Sequence, residues 1–186
     1  MKMLHLPVAA LAMIATGACA ASAPTAVSAT PAAPATLQDR VDSSFSPLAI
    51  NSRLADVKAG LQMITENDCL EMDECEWRDA EGVRHFFWSD SSDTPKLLVI
   101  KFVVASEFEG RAISALGIGN ARMKADVIDR VRAFDPRMQV ECDGKNVSGN
   151  VGVQECAATV GDGWVQIGFD ADDRLTKIRF DGYQFI

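Results

Sequence analysis

Four cysteines carry the clearest chemistry in this sequence: Cys69, Cys75, Cys142 and Cys156. An even number of thiols suits two disulfides in an oxidising compartment, and three connectivities are open from the spacing alone. Zinc binding is the alternative chemistry for four thiolates. Zinc sites usually take closely spaced Cys-x-x-Cys pairs, which this chain lacks, so we expect disulfides and no metal site.

Side chains suited to catalysis are scarce. Of the two histidines, His5 lies in a segment with signal-peptide character, which leaves His85 as the only imidazole for a catalytic triad. No G-x-S-x-G nucleophile elbow accompanies it. The carboxylates of Glu71, Asp73 and Glu74 fall between two cysteines, where a solvated acidic loop is expected. The sequence therefore predicts no enzyme, no catalytic residue and no cofactor, with a periplasmic hydrolase as the least supported alternative.

The strand pattern that must position these residues occurs twice. Seven residues after Cys75 a glycine opens the apolar run 83–88, and seven residues after Cys156 a glycine opens the run 164–169. Each run then meets a polar turn and a second strand, at 97–102 or 175–180. We interpret this pattern as an internal duplication, with repeats at 46–115 and 116–186. A duplication favours one disulfide within each repeat.

A helix is predicted before each cysteine pair. In the first repeat it begins after Asn51 or Ser52, and in the second it begins after Asn120 and ends at Asp135-Pro136. Helical spacing predicts one buried stripe on each helix, formed by Leu54, Val57, Leu61 and Ile64 or by Met123, Val127, Val131 and Phe134.

Alternation along the strands predicts which side chains face these helices. The predicted core face consists of Phe86, Trp88, Leu98, Ile100 and Phe102 with Val165, Ile167, Phe169, Ile178 and Phe180. The opposite face then combines large apolar and long cationic residues, a mixture that suits a protein interface. Its predicted partner-binding residues are Val83, His85, Phe87, Val99, Lys101, Trp164, Gln166, Lys177 and Arg179.

Two residues of this face are expected to act as anchors, Trp164 and Phe87, while Arg179 and Lys101 select an acidic partner. The alternative is that another segment, around Phe108 or at residues 183–186, folds over the face and extends the core.

A short helical segment followed by an antiparallel sheet, given twice with a disulfide in each copy, resembles the beta-lactamase inhibitory protein fold. A single related unit occurs in the outer-membrane assembly lipoprotein BamE. The resemblance covers residues 47–186 and implies helices on one sheet face, with a protein partner held by the other face or a nearby edge. We therefore expect an α+β fold in which two tandem helix-plus-hairpin repeats form one continuous antiparallel sheet.

Residues 1–19 have the layout of an export signal. Lys2 precedes an apolar run at 4–15, which is too short to span a bilayer. The sequence Thr16-Gly17-Ala18-Cys19 resembles a lipobox, in which Cys19 would carry lipid, and this use also explains the odd fifth cysteine. Ordinary cleavage after Ala20 is the alternative. We expect an outer-membrane lipoprotein facing the periplasm, or otherwise a soluble periplasmic or secreted protein.

Residues 20–45 are predicted to be a flexible tether, because 20–36 contain almost only Ala, Ser, Thr, Pro and Val. The formal net charge of −8 disfavours nucleic acid and anionic lipid as general partners. The sequence thus favours a non-catalytic lipoprotein that binds an envelope protein, toxin or enzyme, as an inhibitor or immunity-type protein. The alternative is a structural accessory in envelope assembly.

Overall fold

An antiparallel sheet of seven strands organises the chain. A computed structural model describes residues 35–64, 74–90, 94–142 and 154–182. Three α-helices occur in these residues: α1 (Leu37–Phe45), α2 (Leu54–Val57) and α3 (Lys124–Phe134). The strands are β1 (Gln62–Met63), β2 (Glu74–Arg78), β3 (Arg84–Trp88), β4 (Leu97–Val104), β5 (Gln154–Val160), β6 (Gly163–Phe169) and β7 (Leu175–Asp181).

The strand order is β1-β2-β3-β4-β7-β6-β5, and every neighbouring pair is antiparallel. We call β2–β4 the first unit and β5–β7 the second unit. The two units meet at β4 and β7, where Lys101 lies opposite Phe180. The predicted α+β class and the continuous antiparallel sheet are confirmed.

The hydrophobic core lies on one face of this sheet, which we call the core face. Val41 and Phe45 of α1 and Val127 and Val131 of α3 pack in one cluster with apolar side chains of the second unit. The rings of Phe45 and Phe180 lie 6.1 Å apart. Full burial of each such side chain contributes about 1.5–3 kcal/mol. Leu54 of α2 packs nearby with residues of the first unit, Cys75, Trp77, Phe87 and Leu98.

The first helix was not predicted, because its residues were assigned to the tether. Thr36 caps it: the Asp39 backbone N–H donates to the Thr36 hydroxyl at 3.0 Å, and the Thr36 N–H donates to the Asp39 carboxylate at 2.9 Å. Val41 and Phe45, four residues apart, fall on one side of the helix and are buried. The predicted tether boundary at residue 45 is therefore wrong, since the folded part begins by Thr36.

The other two helices differ in how well they match the sequence pattern. α3 ends at Phe134, before Asp135-Pro136, as predicted, although it begins after Met123 rather than after Asn120. The predicted helix through Ile64 is wrong. It ends at Val57 and continues as a single 3-10 turn to Gly60, and then β1 pairs with β2. Glycine is a poor helix former, and pairing at the sheet edge takes over the residues that follow it.

The disulfide between Cys142 and Cys156 is present, as predicted for the second repeat. Cys69 lies outside the described residues, so its predicted bond to the buried Cys75 stays a prediction. The signal segment, Cys19 and the tether up to residue 34 also lie outside them. None of the helices in the described ranges is long and apolar enough to cross a membrane.

Candidate functional site

A groove of about 460 Å³ crosses the sheet face that lies opposite the core face. We call this side the open face. Strands β2, β3, β4 and β7 supply every side chain of the groove, so it is built on the rigid centre of the sheet. The lining residues are Glu76, Phe86, Trp88, Ile100, Phe102, Lys177 and Arg179.

Strand register explains why these side chains converge. Phe86 lies opposite Ile100 across β3 and β4, and in the next row Phe102 lies between Arg84 on one side and Arg179 on the other. Residues directly opposite each other in an antiparallel pair point to the same side and bring their Cβ atoms to about 5 Å. The apolar floor of the groove is therefore fixed by backbone pairing rather than by a loop.

The predicted faces of the first unit are wrong. His85, Phe87 and Lys101, assigned to the binding face, are 0% exposed and point into the core. Val83 and Val99 are also buried. Conversely, four residues predicted to lie in the core line the open-face groove instead: Phe86, Trp88, Ile100 and Phe102.

The physical cause of this inversion is a difference in turn length. The paired residues Arg78 and Arg84 enclose five residues between β2 and β3, whereas Val160 and Gly163 enclose two between β5 and β6. The predicted repeats were aligned at Gly82 and Gly163, and this alignment puts β3 one residue out of phase with β6. A bulge in β4, where Leu98 and Ile100 pair with the adjacent Phe87 and Phe86, reverses the alternation again. Leu98 accordingly lies in the core, as predicted.

The faces of the second unit match the prediction. Val165, Ile167, Phe169, Ile178 and Phe180 are buried in the core. Trp164, Gln166, Lys177 and Arg179 occupy the open face, where register places Trp164 beside Asp181 and Gln166 beside Arg179. Of the nine predicted binding residues, these four share the open face, where Gln166 is itself buried at 8% exposed, and the other five are also buried. Phe108 also packs in the core, so it does not cover the open face. Residues 183–186 lie outside the described residues.

Charged side chains surround the aromatic centre of the groove. The guanidinium of Arg84 lies 5.7 Å from the centre of the Phe102 ring, and the Lys177 ammonium lies 6.0 Å from it. Arg84 pairs with Glu76 at 2.6 Å and with Glu107, which follows β4. The hydrogen bonds from Arg84 lower the pKa of the Glu107 carboxyl, so this carboxylate stays ionised and committed to Arg84.

Asp181 lies beside the groove, opposite Ile100 of β4. Its side chain is 2% exposed and accepts a hydrogen bond from Arg179 Nε at 2.8 Å. Burial raises the pKa of the Asp181 carboxyl, while Arg179 and the Trp164 indole oppose that shift by favouring the charged form. Asp181 therefore orients Arg179 along the open face without presenting its own charge to solvent.

The buried polar residues of the first unit hold the architecture rather than the groove. Lys101 Nζ lies 2.7 Å from an Asp42 carboxylate oxygen and donates to the backbone carbonyls of Asp42 and Ser46 at 3.0 and 3.2 Å. His85 Nε2 lies 3.0 Å from Asp79 Oδ2. Burial lowers the pKa of the Lys101 ammonium, and the hydrogen bond to Asp42 opposes the shift. The Lys101 contacts tie α1 to the sheet, and the His85 contact ties β3 to the turn that precedes it.

In the described ranges, no three His, Cys, Asp or Glu side chains are grouped so as to hold an ion. The groove itself combines aromatic and aliphatic side chains with lysine and arginine at its border. No protein-family model, curated protein or solved structure matches the chain.

Proposed function

We propose that this chain is a binding protein that recognises a protein partner through the open face of its sheet, without catalysing a reaction. The observation that carries the proposal is the groove in which Phe86, Trp88, Ile100 and Phe102 lie side by side. An antiparallel sheet with one face packed on a core usually turns polar side chains outward. A cluster of aromatic residues at the centre of that outward face is instead typical of a contact surface.

The composition of the face supports a protein as the partner. Trp and Tyr, with Arg, are the residues that most often dominate binding energy at protein interfaces, and here Trp88 and Trp164 accompany Arg84 and Arg179. These side chains stand on paired strands, so no loop has to be ordered when a partner binds. The groove supplies the anchor and the arginines supply a polar rim.

A hydrolase is the least supported alternative. The imidazole of His85 is fully buried beside Asp79 on the core face, away from the groove. A general base must reach the proton that it removes, directly or through one water. A catalytic function would therefore have to use groups other than this histidine.

The export features of the sequence suggest where binding takes place. We propose that Cys19 carries lipid and that the folded part faces the periplasm, joined to the anchor by the Ala-, Ser-, Thr- and Pro-rich segment that ends before Thr36. An inhibitor or immunity-type role is favoured, and an accessory role in envelope assembly is the alternative. A toxin or hydrolase encoded beside this gene supports the first role, and co-purification with an outer-membrane complex supports the second.

The strand order supports descent from a duplicated unit, because β2-β3-β4 and β5-β6-β7 run from the two sides of the sheet to meet at β4 and β7. Cys75 lies opposite Phe87 in the first unit, and Cys156 lies opposite Ile167 in the second, so the two cysteines hold matching positions. We propose that repeats 46–115 and 116–186 each carry one disulfide, in the arrangement that resembles the beta-lactamase inhibitory protein and BamE. Peptide mapping under non-reducing conditions should recover Cys69 linked to Cys75. Recovery of a bond between the repeats would reject the duplication.

Photo-crosslinking in the source cell tests the binding face. We would replace Phe86 or Trp88 with a photoreactive phenylalanine and compare Arg130, an exposed residue of α3, as the matched control. The proposal expects one protein adduct from both open-face positions and none from the control. An adduct that forms at Arg130 while both open-face positions stay unreacted would reject the open face as the binding surface.

A further inference from the structure

The cations of the open face are concentrated around Phe102. Register aligns Arg78, Arg84, Phe102 and Arg179 in one row across four strands. Lys177 lies in the neighbouring row and contacts the same aromatic ring. Four cations thus lie in two rows, and the three carboxylates paired with Arg84 and Arg179 leave an excess of one positive charge here, although the chain as a whole has a formal net charge of −8.

The carboxylates of this face already have partners within the protein. Glu76 is paired with Arg84, Asp181 is covered and accepts from Arg179, and the buried Glu155 accepts from Gln166 at 3.3 Å. Of these three acids only Glu76 reaches solvent, with 22% of its side chain exposed, and Arg84 balances its charge.

Two cations remain accessible on the β7 side. Lys177 is exposed, and none of the ion pairs among the described residues includes it. The side chain of Arg179 is 32% exposed although Asp181 holds its Nε, which leaves the outer part of the guanidinium toward solvent. A docking group that meets both must carry negative charge.

We infer that the partner presents an extended acidic segment to the open face, with a carboxylate bound by Lys177 and Arg179 and a neighbouring apolar side chain inserted in the groove beside Phe102. This inference rests on the proposed function. The planar guanidinium of Arg179 suits a carboxylate, and the apolar floor formed by Phe86 and Ile100 requires an apolar neighbour. A polypeptide can supply both from residues two apart, because alternate side chains of an extended segment point to the same side.

Equilibrium binding to a defined probe tests the charge requirement. The probe is a short synthetic peptide that repeats Glu-Ser-Leu-Ser, so that Glu and Leu lie on the same side of an extended chain. It is compared with its analogue that has Gln in place of Glu, and the readout is fluorescence anisotropy at low and moderate salt. We expect the Glu peptide to bind at least about tenfold more tightly, and its affinity to fall as salt rises. Equal affinities for the two peptides, or no binding of the Glu peptide at low salt, would overturn the inference.

Charge reversal locates the contact. Lys177→Glu should weaken binding of the Glu peptide by about tenfold and flatten its salt dependence, while Arg130→Glu, with the same change in net charge, should change affinity by no more than about twofold. Identical losses in the two variants would show a non-specific effect of net charge and contradict the inference. Tighter binding of a single-stranded oligonucleotide than of the Glu peptide would do the same.

The photo-crosslinking experiment keeps this inference separate from the proposed function. If an adduct forms at Phe86 and survives unchanged in the Lys177→Glu background, the open face binds its partner but the acidic segment is wrong. If no adduct forms at the open face while Arg130 reacts, the binding face itself is rejected.

Discussion

The two units of the sheet place different chemistry at matching positions of the core face. In the first unit, His85 lies opposite Lys101, and in the second, Val165 lies opposite Phe180. All four side chains are fully buried. The second unit therefore packs apolar surface under α1 and α3. The first must satisfy a buried imidazole with Asp79 of its own β2–β3 turn and a buried amine with Asp42 of α1.

This difference determines how each unit is held. Taking a charge out of water costs several kcal/mol even after relaxation, so Lys101 is tolerable only with Asp42 and two backbone carbonyls around it. Those groups come from α1 and the residues just after it, so docking of α1 is a condition for the first unit to fold. The second unit instead carries the Cys142–Cys156 disulfide on its edge strand β5.

On the open face the first unit is the more apolar of the two. The first unit exposes parts of Phe86 and Trp88 there, while the second contributes Gln166, Lys177 and Arg179. The first unit therefore has buried polar groups on its core face and aromatic side chains on its open face, and these aromatic side chains form the floor of the groove. Four predictions test the comparison between the units, from the largest expected effect to the smallest.

The neighbours Phe86 and Phe87 give the most direct test. Phe87→Ala removes a fully buried ring beside Trp77 and Leu98 and should lower the free energy of unfolding by about 3–5 kcal/mol. Phe86→Ala removes a half-buried ring on the open face, and we expect a loss of about 1 kcal/mol or less. Urea unfolding followed by circular dichroism measures both. Equal losses would mean that the two faces of β3 are not distinct.

The buried ion pair of the first unit is the next test. Asp42→Ala leaves Lys101 without its carboxylate and removes the acceptor for the Ile50 N–H at 3.1 Å, so stability should fall by about 3–5 kcal/mol. Asp129→Ala, at an exposed position of α3, should change it by no more than about 0.5 kcal/mol. Adding Lys101→Met to Asp42→Ala should restore much of the loss. A double variant as unstable as the single one would show that the charge of Lys101 is not the cause.

The disulfide provides the corresponding test in the second unit. The two cysteines are 14 residues apart, and closing a loop of about this length contributes about 3 kcal/mol in the chain-entropy model. Replacing both Cys142 and Cys156 with alanine should lower the free energy of unfolding by that amount in urea. A loss below about 1 kcal/mol would show that β5 is held by pairing and packing alone.

The contrast between the units also explains which features the sequence can predict. In β6, the apolar Val165 and Ile167 alternate with the surface residues Trp164 and Gln166, so the faces of the second unit follow from the pattern. β3 contains Phe86 and Phe87 in succession, and apolar residues on both sides leave its faces ambiguous.

The faces of the first unit depend on contacts with residues distant in the sequence, and a local sequence pattern cannot show such contacts. Burial of Lys101 depends on Asp42, which lies 59 residues earlier in a helix that was assigned to the tether. The site residues of the second unit were assigned to the correct face: Trp164, Gln166, Lys177 and Arg179 lie on the open face. Those of the first unit were not, because the groove-lining residues of β3 and β4 were assigned to the core.

The smallest expected effect is a pH dependence where α1 meets the end of α3. Arg137 donates to Asp135 from its backbone N–H at 2.9 Å and from its side chain at 2.8 and 3.0 Å, and Arg40 of α1 also pairs with this carboxylate. The bonds from Arg137, then the charge of Arg40, hold the pKa of Asp135 below its usual range. In the unfolded chain the pKa returns to about 3.9. The contribution to stability is therefore complete above about pH 4 and is lost as the pH falls toward the folded value.

Asp135→Asn isolates this contribution, because asparagine does not titrate. We expect the difference in urea midpoint between the wild type and Asp135→Asn to be widest at pH 7 and to narrow as the pH falls below about 4. Asp129→Asn serves as the exposed control on α3 and should show no such narrowing. A difference that stays constant down to pH 3 would mean that Asp135 acts as a neutral hydrogen-bond acceptor. In that case the attachment of α1 at this end would not depend on charge, and Asp42 with Lys101 would be the ionic contact on which its docking depends.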